Sequence, residues 1–156
     1  FFFFLAAITL SLLKAAREEE RRFVAIPFSG PGEYQVFDLG PEPSPGALLE
    51  LIEFGYWGGT EPYAPLEEAL EIIRIDPDLN RADVLLLTDG SFQPPPERFF
   101  RSLDQLREEI GVSLVTLLLF ASNPHCEAFS DRVISALRPD ERGSMQLMFE
   151  QVFSRW

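Results

Sequence analysis

The stretch that most limits what this chain can fold into is "ADVLLLTDG", residues 82–90. Residues 84–87 are apolar on both faces of an extended chain, so a strand formed by them has to be covered on both sides. A second run, "VSLVTLLLF" at residues 112–120, has the same character. Strands that are apolar throughout are typical of parallel sheets covered by helices. The two runs therefore predict central parallel strands.

Helical patterns alternate with the apolar runs. They begin near Leu5, at Ser44–Pro45, near Leu66 and near Phe99, and Gly111 is predicted to end the last of them. The helix near Leu5 is expected to be buried at its front, and a further helix is predicted at residues 144–156. "FVAIPFS" and "EYQVFDL" predict an antiparallel hairpin at a sheet edge, and "DRVISAL" predicts a last strand. The pattern predicts one α/β domain over residues 1–156, doubly wound, with a mostly parallel sheet, one antiparallel edge strand and helices on both faces.

The chain is strongly acidic, with 25 Asp and Glu against 13 Lys and Arg. This balance argues against nucleic acid and against anionic membranes as partners, since both require basic surfaces. Cys126 is the single cysteine, which excludes an intrachain disulfide and fits a cytoplasmic location.

Two features are expected at the carboxyl ends of the strands, where such folds bind ligands. Asp89 follows its strand directly, and Gly58–Gly59–Thr60 precedes a helix. A carboxylate and a hydroxyl are hard oxygen ligands of the kind that Mg²⁺ and Ca²⁺ prefer. A plainer alternative is that Asp89 caps local amides in a turn and that Thr60 caps the helix.

Four stretches in order, "FVAIPFSG", "GGTEPYAPLEEALEII", "ADVLLLTDGSF" and "GVSLVTLLLF", resemble a von Willebrand factor A domain over nearly the whole chain. The likeness is greatest to the bacterial CoxE-like group, whose members work beside MoxR-type AAA+ ATPases. In this family, three loops form a metal-ion-dependent adhesion site. The resemblance implies that Thr60 is the second-loop threonine and that Asp89 is the third-loop aspartate.

The resemblance implies a non-enzymatic domain that binds proteins through a divalent cation, Mg²⁺ or else Mn²⁺ or Ca²⁺. The expected partner is an AAA+ ATPase or one of its clients. Tyr56 and Trp57 precede the metal loop, and aromatic side chains beside a binding face are typical interface anchors, although both could equally pack on the sheet rim. Gly59 and Glu61 complete the predicted partner-binding set. Glu61 stands where the family commonly has aspartate.

The first-loop motif of the family, Asp-x-Ser-x-Ser, does not occur in these 156 residues. We expect it, with the strand before it, to lie upstream. If it is absent, the same fold would serve as a metal-independent scaffold. A Mg²⁺-dependent phosphoester hydrolase is a third alternative, but no G-x-x-x-x-G-K-[ST] loop is present. Neither Ser91 nor the His125–Cys126 pair has the neighbours that a nucleophile requires.

Overall fold

A computed structural model of the chain describes residues 2–136 and residue 150. The chain divides into two compact units, Phe1–Ala69 and Leu70–Trp156, and each unit has its own sheet. The helix predicted at residues 144–156 lies outside the described residues, apart from Glu150. No helix in the described ranges is long and apolar enough to cross a membrane.

The first unit contains helices α1 (Phe2–Glu18) and α2 (Pro45–Ile52), strands β1 (Phe23–Ala25) and β2 (Phe37–Leu39), and the start of α3 (Tyr63–Ile75). The two strands pair antiparallel, with Phe23 opposite Leu39, which confirms the predicted hairpin. The first strand is shorter than predicted, because Pro27 has no N–H to donate to a ladder.

The core of the first unit lies between these elements. Leu13, Phe37, Leu39 and Leu51 are buried together, and partly buried residues of α2 pack against them. The Ser44 side chain accepts a hydrogen bond from the Ala47 N–H at 3.1 Å and so caps α2, as predicted. The expectation of a buried front for α1 is wrong at Phe3, which is 93% exposed, because the buried positions of this helix are Ile8 and Leu13.

The second unit contains strands β3 (Val84–Thr88), β4 (Leu114–Leu119) and β5 (Arg132–Ala136), which pair parallel in the order β3-β4-β5. All three strands were predicted, and their parallel pairing is confirmed. Because the strands are parallel, their carboxyl ends lie at one edge of the sheet. The residues that follow Thr88 and Leu119 therefore leave from the same edge.

Helices α4 (Glu97–Ile110) and α5 (His125–Phe129) complete the second unit. Phe99, Leu103 and Leu106 are buried at helical spacing in α4, and the helix ends at Gly111, as predicted. The ring of Phe129, from α5, meets that of Phe99 edge-to-face with centroids 5.5 Å apart. The short helix α5 and a 3-10 turn at Pro77–Leu79 were not predicted.

The chain is thus an α/β protein with a two-stranded antiparallel sheet and a three-stranded parallel sheet. The sequence predicted that these strands share one doubly wound sheet. That finer arrangement, and the single domain over residues 1–156, stay predictions.

Candidate functional site

Ser29 organises the glycine loop of the first unit. This residue is 1% exposed, and its Oγ accepts a hydrogen bond from the Gly58 N–H at 2.7 Å. Its carbonyl oxygen accepts another from the Glu61 N–H at 2.8 Å, and its own N–H donates to the Glu33 carbonyl. One buried serine therefore joins the turn after β1 to the residues on both sides of Thr60.

The two turns also touch through their backbones. A Cβ added to Gly30 would lie 2.3 Å from the Gly58 carbonyl oxygen, which is too short for a contact between a carbon and an oxygen atom. The Gly30 N–H donates to a carboxylate oxygen of Glu33 at 3.1 Å, and that same oxygen would lie 1.9 Å from a Cβ on Gly58. Glycine is therefore needed at position 30 for close backbone packing, whereas a side chain at position 58 would mainly displace the flexible Glu33 carboxylate. This requirement is separate from any role in presenting Thr60.

The predicted site residues next to Gly58 have distinct local roles. Gly59 has a φ of +101°, in the region that favours glycine, and Thr60 is half-buried. The Glu61 carboxylate accepts hydrogen bonds from the Tyr63 N–H at 3.2 Å and the Ala64 N–H at 3.3 Å. Glu61 therefore caps the first turn of α3, where a negative charge is favoured. Its predicted contact with a partner stays a prediction.

The two aromatic residues before the loop differ in their exposure to solvent. The ring of Tyr56 packs edge-to-face on Phe54 with centroids 5.2 Å apart, and burial raises the pKa of its phenol. Trp57 is 95% exposed. Its indole lies over Gly55, where an added Cβ would meet the ring Cδ1 at 2.9 Å. The loop thus holds a large aromatic ring against its backbone while leaving the ring open to solvent.

In the second unit, Asp89 begins a tight turn at the carboxyl end of β3. Its Oδ1 accepts a hydrogen bond from the Ser91 N–H at 3.0 Å, and the Thr88 hydroxyl accepts one from the Gly90 N–H at 3.1 Å. This is the local amide capping that the plainer alternative predicted. A carboxylate has about four acceptor positions, so this bond is compatible with a cation as a further ligand.

Asn123, from the loop after β4, holds this turn from the neighbouring strand. Its Nδ2 donates to the Gly90 carbonyl at 2.7 Å and to the Phe92 carbonyl at 3.3 Å. Its Oδ1 accepts from the His125 N–H at 2.9 Å, at the start of α5. Gly90 has a φ of +73°, and an added Cβ would lie 2.8 Å from Leu118. The position of Asp89 is therefore set by buried contacts.

The other singled-out groups are structural in this unit. Cys126 is fully buried, and burial raises the pKa of its thiol to about 11. A thiol with that pKa is protonated at neutral pH and makes a poor nucleophile. The backbone N–H of His125 takes part in the Asn123 contact already described. Ser91 is exposed, and its N–H bonds to Asp89.

The donor set fits a divalent cation only in part. Asp89 and Thr60 carry hard oxygens, and Mg²⁺ is commonly held by one or two protein groups while it keeps several waters. Within residues 2–136, no group of three or more His, Cys, Asp and Glu side chains could hold a metal ion. Asp89 is therefore not part of such an acidic group in the described part of the chain.

The predicted site residues fall into two sets. Tyr56, Trp57, Gly59, Thr60 and Glu61 follow one another in the first unit, whereas Asp89 lies in the second. Sequence reasoning missed Ser29 and Asn123, which position these loops. The available signal was weak, since a serine before a Gly-Pro-Gly turn and an asparagine before a proline are ordinary turn residues.

No known family model matches this chain. It is similar to an uncharacterized protein, MJ0811, of Methanocaldococcus jannaschii. The two are 26% identical over 130 residues, which is 82% of this chain and 29% of the relative. The chain thus spans less than a third of the length of that relative, whose name assigns no activity.

Proposed function

We propose that this chain is a protein-interaction domain that depends on a divalent cation, with a doubly wound von Willebrand factor A-like fold. The observation that supports the proposal is the position of Asp89. It lies at the carboxyl end of a parallel strand, β3. Asn123, in the loop after the neighbouring strand β4, donates a hydrogen bond to the turn that carries Asp89. Open α/β sheets bind their ligands at that edge.

The mechanism follows from hard-cation chemistry. Thr60 and Asp89 are the residues that would offer oxygen donors to Mg²⁺, Mn²⁺ or Ca²⁺, and the resemblance assigns the remaining ligands to an Asp-x-Ser-x-Ser loop that these 156 residues do not contain. A carboxylate of the partner would be a further ligand of the cation, so binding would require both an acidic group and the correct geometry. The domain then acts without catalysing a reaction, with an AAA+ ATPase of the MoxR type or one of its clients as partner.

A direct test measures the binding of the full-length protein to a purified MoxR-type AAA+ ATPase. Nucleotide is left out, so that the cation cannot act through ATP. The assay contains Mn²⁺ at roughly 1 mM, the affinity range of weak sites for hard cations. Binding of the ATPase should be lost when EDTA is added, and it should be lost in the Asp89→Ala variant. Binding that persists in EDTA would reject cation dependence.

A metal-independent docking domain of the same fold is the second candidate. The observation that favours it is Trp57, which is 95% exposed yet held against Gly55. Exposed tryptophan is enriched among residues that dominate protein interfaces. Binding that is insensitive to EDTA but lost in Trp57→Ala would support this candidate.

A further inference from the structure

The outer face of α2 is apolar where a solvated helix is usually polar. Leu49 is 54% exposed and Ile52 is 46% exposed, although the opposite face of the helix packs into the core through Leu51. Residues three apart on a helix are surface neighbours. Leu49 and Ile52 therefore form one continuous apolar strip.

Trp57 is close enough along the chain to reach the same surface. It follows Ile52 by five residues, so their Cα atoms are at most about 18 Å apart. A standard interface covers about 800 Å² on each partner, which corresponds to a patch roughly 30 Å across. Leu49, Ile52 and Trp57, hereafter the α2 surface, fit within one such patch.

The sequence on both sides of the α2 surface carries charge of a single sign. Residues 23–73 contain no Lys, Arg or His. The acidic residues of the same range are Glu33, Asp38, Glu42, Glu50, Glu53, Glu61, Glu67, Glu68 and Glu71.

Several of these acidic groups are already engaged within the chain. Arg22 pairs with Asp38, Arg74 pairs with Glu71, and Glu61 caps α3. Glu50 lies on α2 and Glu53 caps its carboxyl end, and both side chains are exposed. Neither forms an ion pair among the described residues, so their charge is available to a partner.

We infer that the α2 surface binds a basic amphipathic segment of another protein, independently of the cation site. Leucine, isoleucine and tryptophan supply the apolar contact, and Glu50 and Glu53 select a positively charged rim. A basic helix with one apolar face is the chemistry that fits both features. The inference does not use Thr60 or Asp89.

The test uses the full-length protein in EDTA, so that the cation site does not contribute. The probe is a synthetic amphipathic peptide of about 18 residues, or five helical turns, with Leu and Trp on one face and Lys and Arg on the other. A second peptide keeps the apolar face and replaces every basic residue with Glu. We expect the basic peptide to bind in a salt-dependent manner and the acidic peptide not to bind.

Variants then locate the binding. Leu49→Ser and Trp57→Ala should each weaken binding about tenfold or more. The Glu50→Gln, Glu53→Gln pair should weaken it several-fold and flatten its salt dependence. Matched controls are Ile75→Ser, an exposed apolar side chain on α3, and Glu127→Gln, an exposed carboxylate on α5; both should bind as the wild type does.

Three results would overturn the inference. In the first, the basic peptide does not bind. In the second, it binds equally to all variants, which would indicate a general attraction to an acidic protein. The third is a concentration-dependent dimer in sedimentation that Leu49→Ser abolishes, since the surface would then serve a second copy of this chain.

Discussion

Asn123 donates a hydrogen bond from its side-chain amide to the backbone carbonyl of Gly90 at 2.7 Å, across 33 residues of sequence. The bond joins the loop after β4 to the turn that carries Asp89. A buried amide in this position connects two neighbouring strand ends, and it makes the geometry of Asp89 depend on a residue that carries no charge.

Replacing Asn123 with alanine should therefore lower both stability and cation affinity. The substitution leaves the buried carbonyls of Gly90 and Phe92 and the His125 N–H without this partner, at a cost of about 1–3 kcal/mol. Urea unfolding measures the first effect and Mg²⁺ titration calorimetry the second. Asn80→Ala, at an exposed position, is the matched control and should change neither. Unaltered Mg²⁺ affinity in a folded Asn123→Ala protein would show that the turn does not depend on this amide.

Gly30→Ala should destabilise the first unit by about 2 kcal/mol or more. Its Cβ would meet the Gly58 carbonyl oxygen at 2.3 Å, and backbone atoms cannot move aside as a flexible side chain can. Gly40→Ala is the control, because an added Cβ there has no neighbour within 4 Å. Its stability should be unchanged or slightly higher. The prediction fails if the two variants have the same midpoint in urea.

Asp131→Ala should destabilise the second unit without affecting the cation site. Asp131 Oδ2 accepts from the Leu114 N–H at 2.7 Å and lies 3.1 Å from the Arg107 guanidinium. Both contacts are at the amino ends of β4 and β5, away from Asp89. We expect a loss of about 1–3 kcal/mol in urea unfolding. Asp104→Ala, whose exposed carboxylate is 3.9 Å from Arg107, should lose less than about 0.5 kcal/mol.

The buried thiol of Cys126 predicts a loss of stability in alkali. Its pKa is about 11 in the folded protein and about 9 when exposed. Because the folded state holds the proton more tightly, this contribution is complete below pH 9 and is lost as the pH rises through 11. The full effect is about 2–3 kcal/mol.

Urea unfolding at pH 8 and at pH 10.5 tests this prediction. The wild type should lose more stability between the two values than Cys126→Ala. Both proteins keep Tyr56, whose raised pKa acts in the same direction, so its effect cancels in the comparison. Equal losses in the two proteins would show that the thiol does not contribute.

Much of the fold could be predicted from periodicity. The apolar runs of β3 and β4 can be stable only when covered on both faces, and the helical spacing of Phe99, Leu103 and Leu106 allows one buried face. The sequence pattern predicts element boundaries less well where a single residue interrupts it or where an element is short. Pro27 shortens β1, and the five residues of α5 are too few for a helical period to appear.

The hydrogen bonds that position the loops could not be predicted from the sequence. Thr60 and Asp89 were identified because they match a known motif, whereas Ser29 and Asn123 act through bonds to distant backbone atoms. Those bonds span 29 and 33 residues, and no local pattern indicates them. In the same way, Gly58 was interpreted as giving a loop freedom, but its contact with Gly30 is visible only in three dimensions.

We propose above that Asp89 binds a divalent cation. Titration calorimetry of the full-length protein with Mg²⁺, and then with Mn²⁺, tests it most directly. Asp89→Ala is compared with Asp83→Ala, an exposed aspartate just before the same strand. We expect saturable heat in the wild type and in Asp83→Ala, and none in Asp89→Ala. Equal heats in all three proteins, or no heat in a folded wild type, would contradict it.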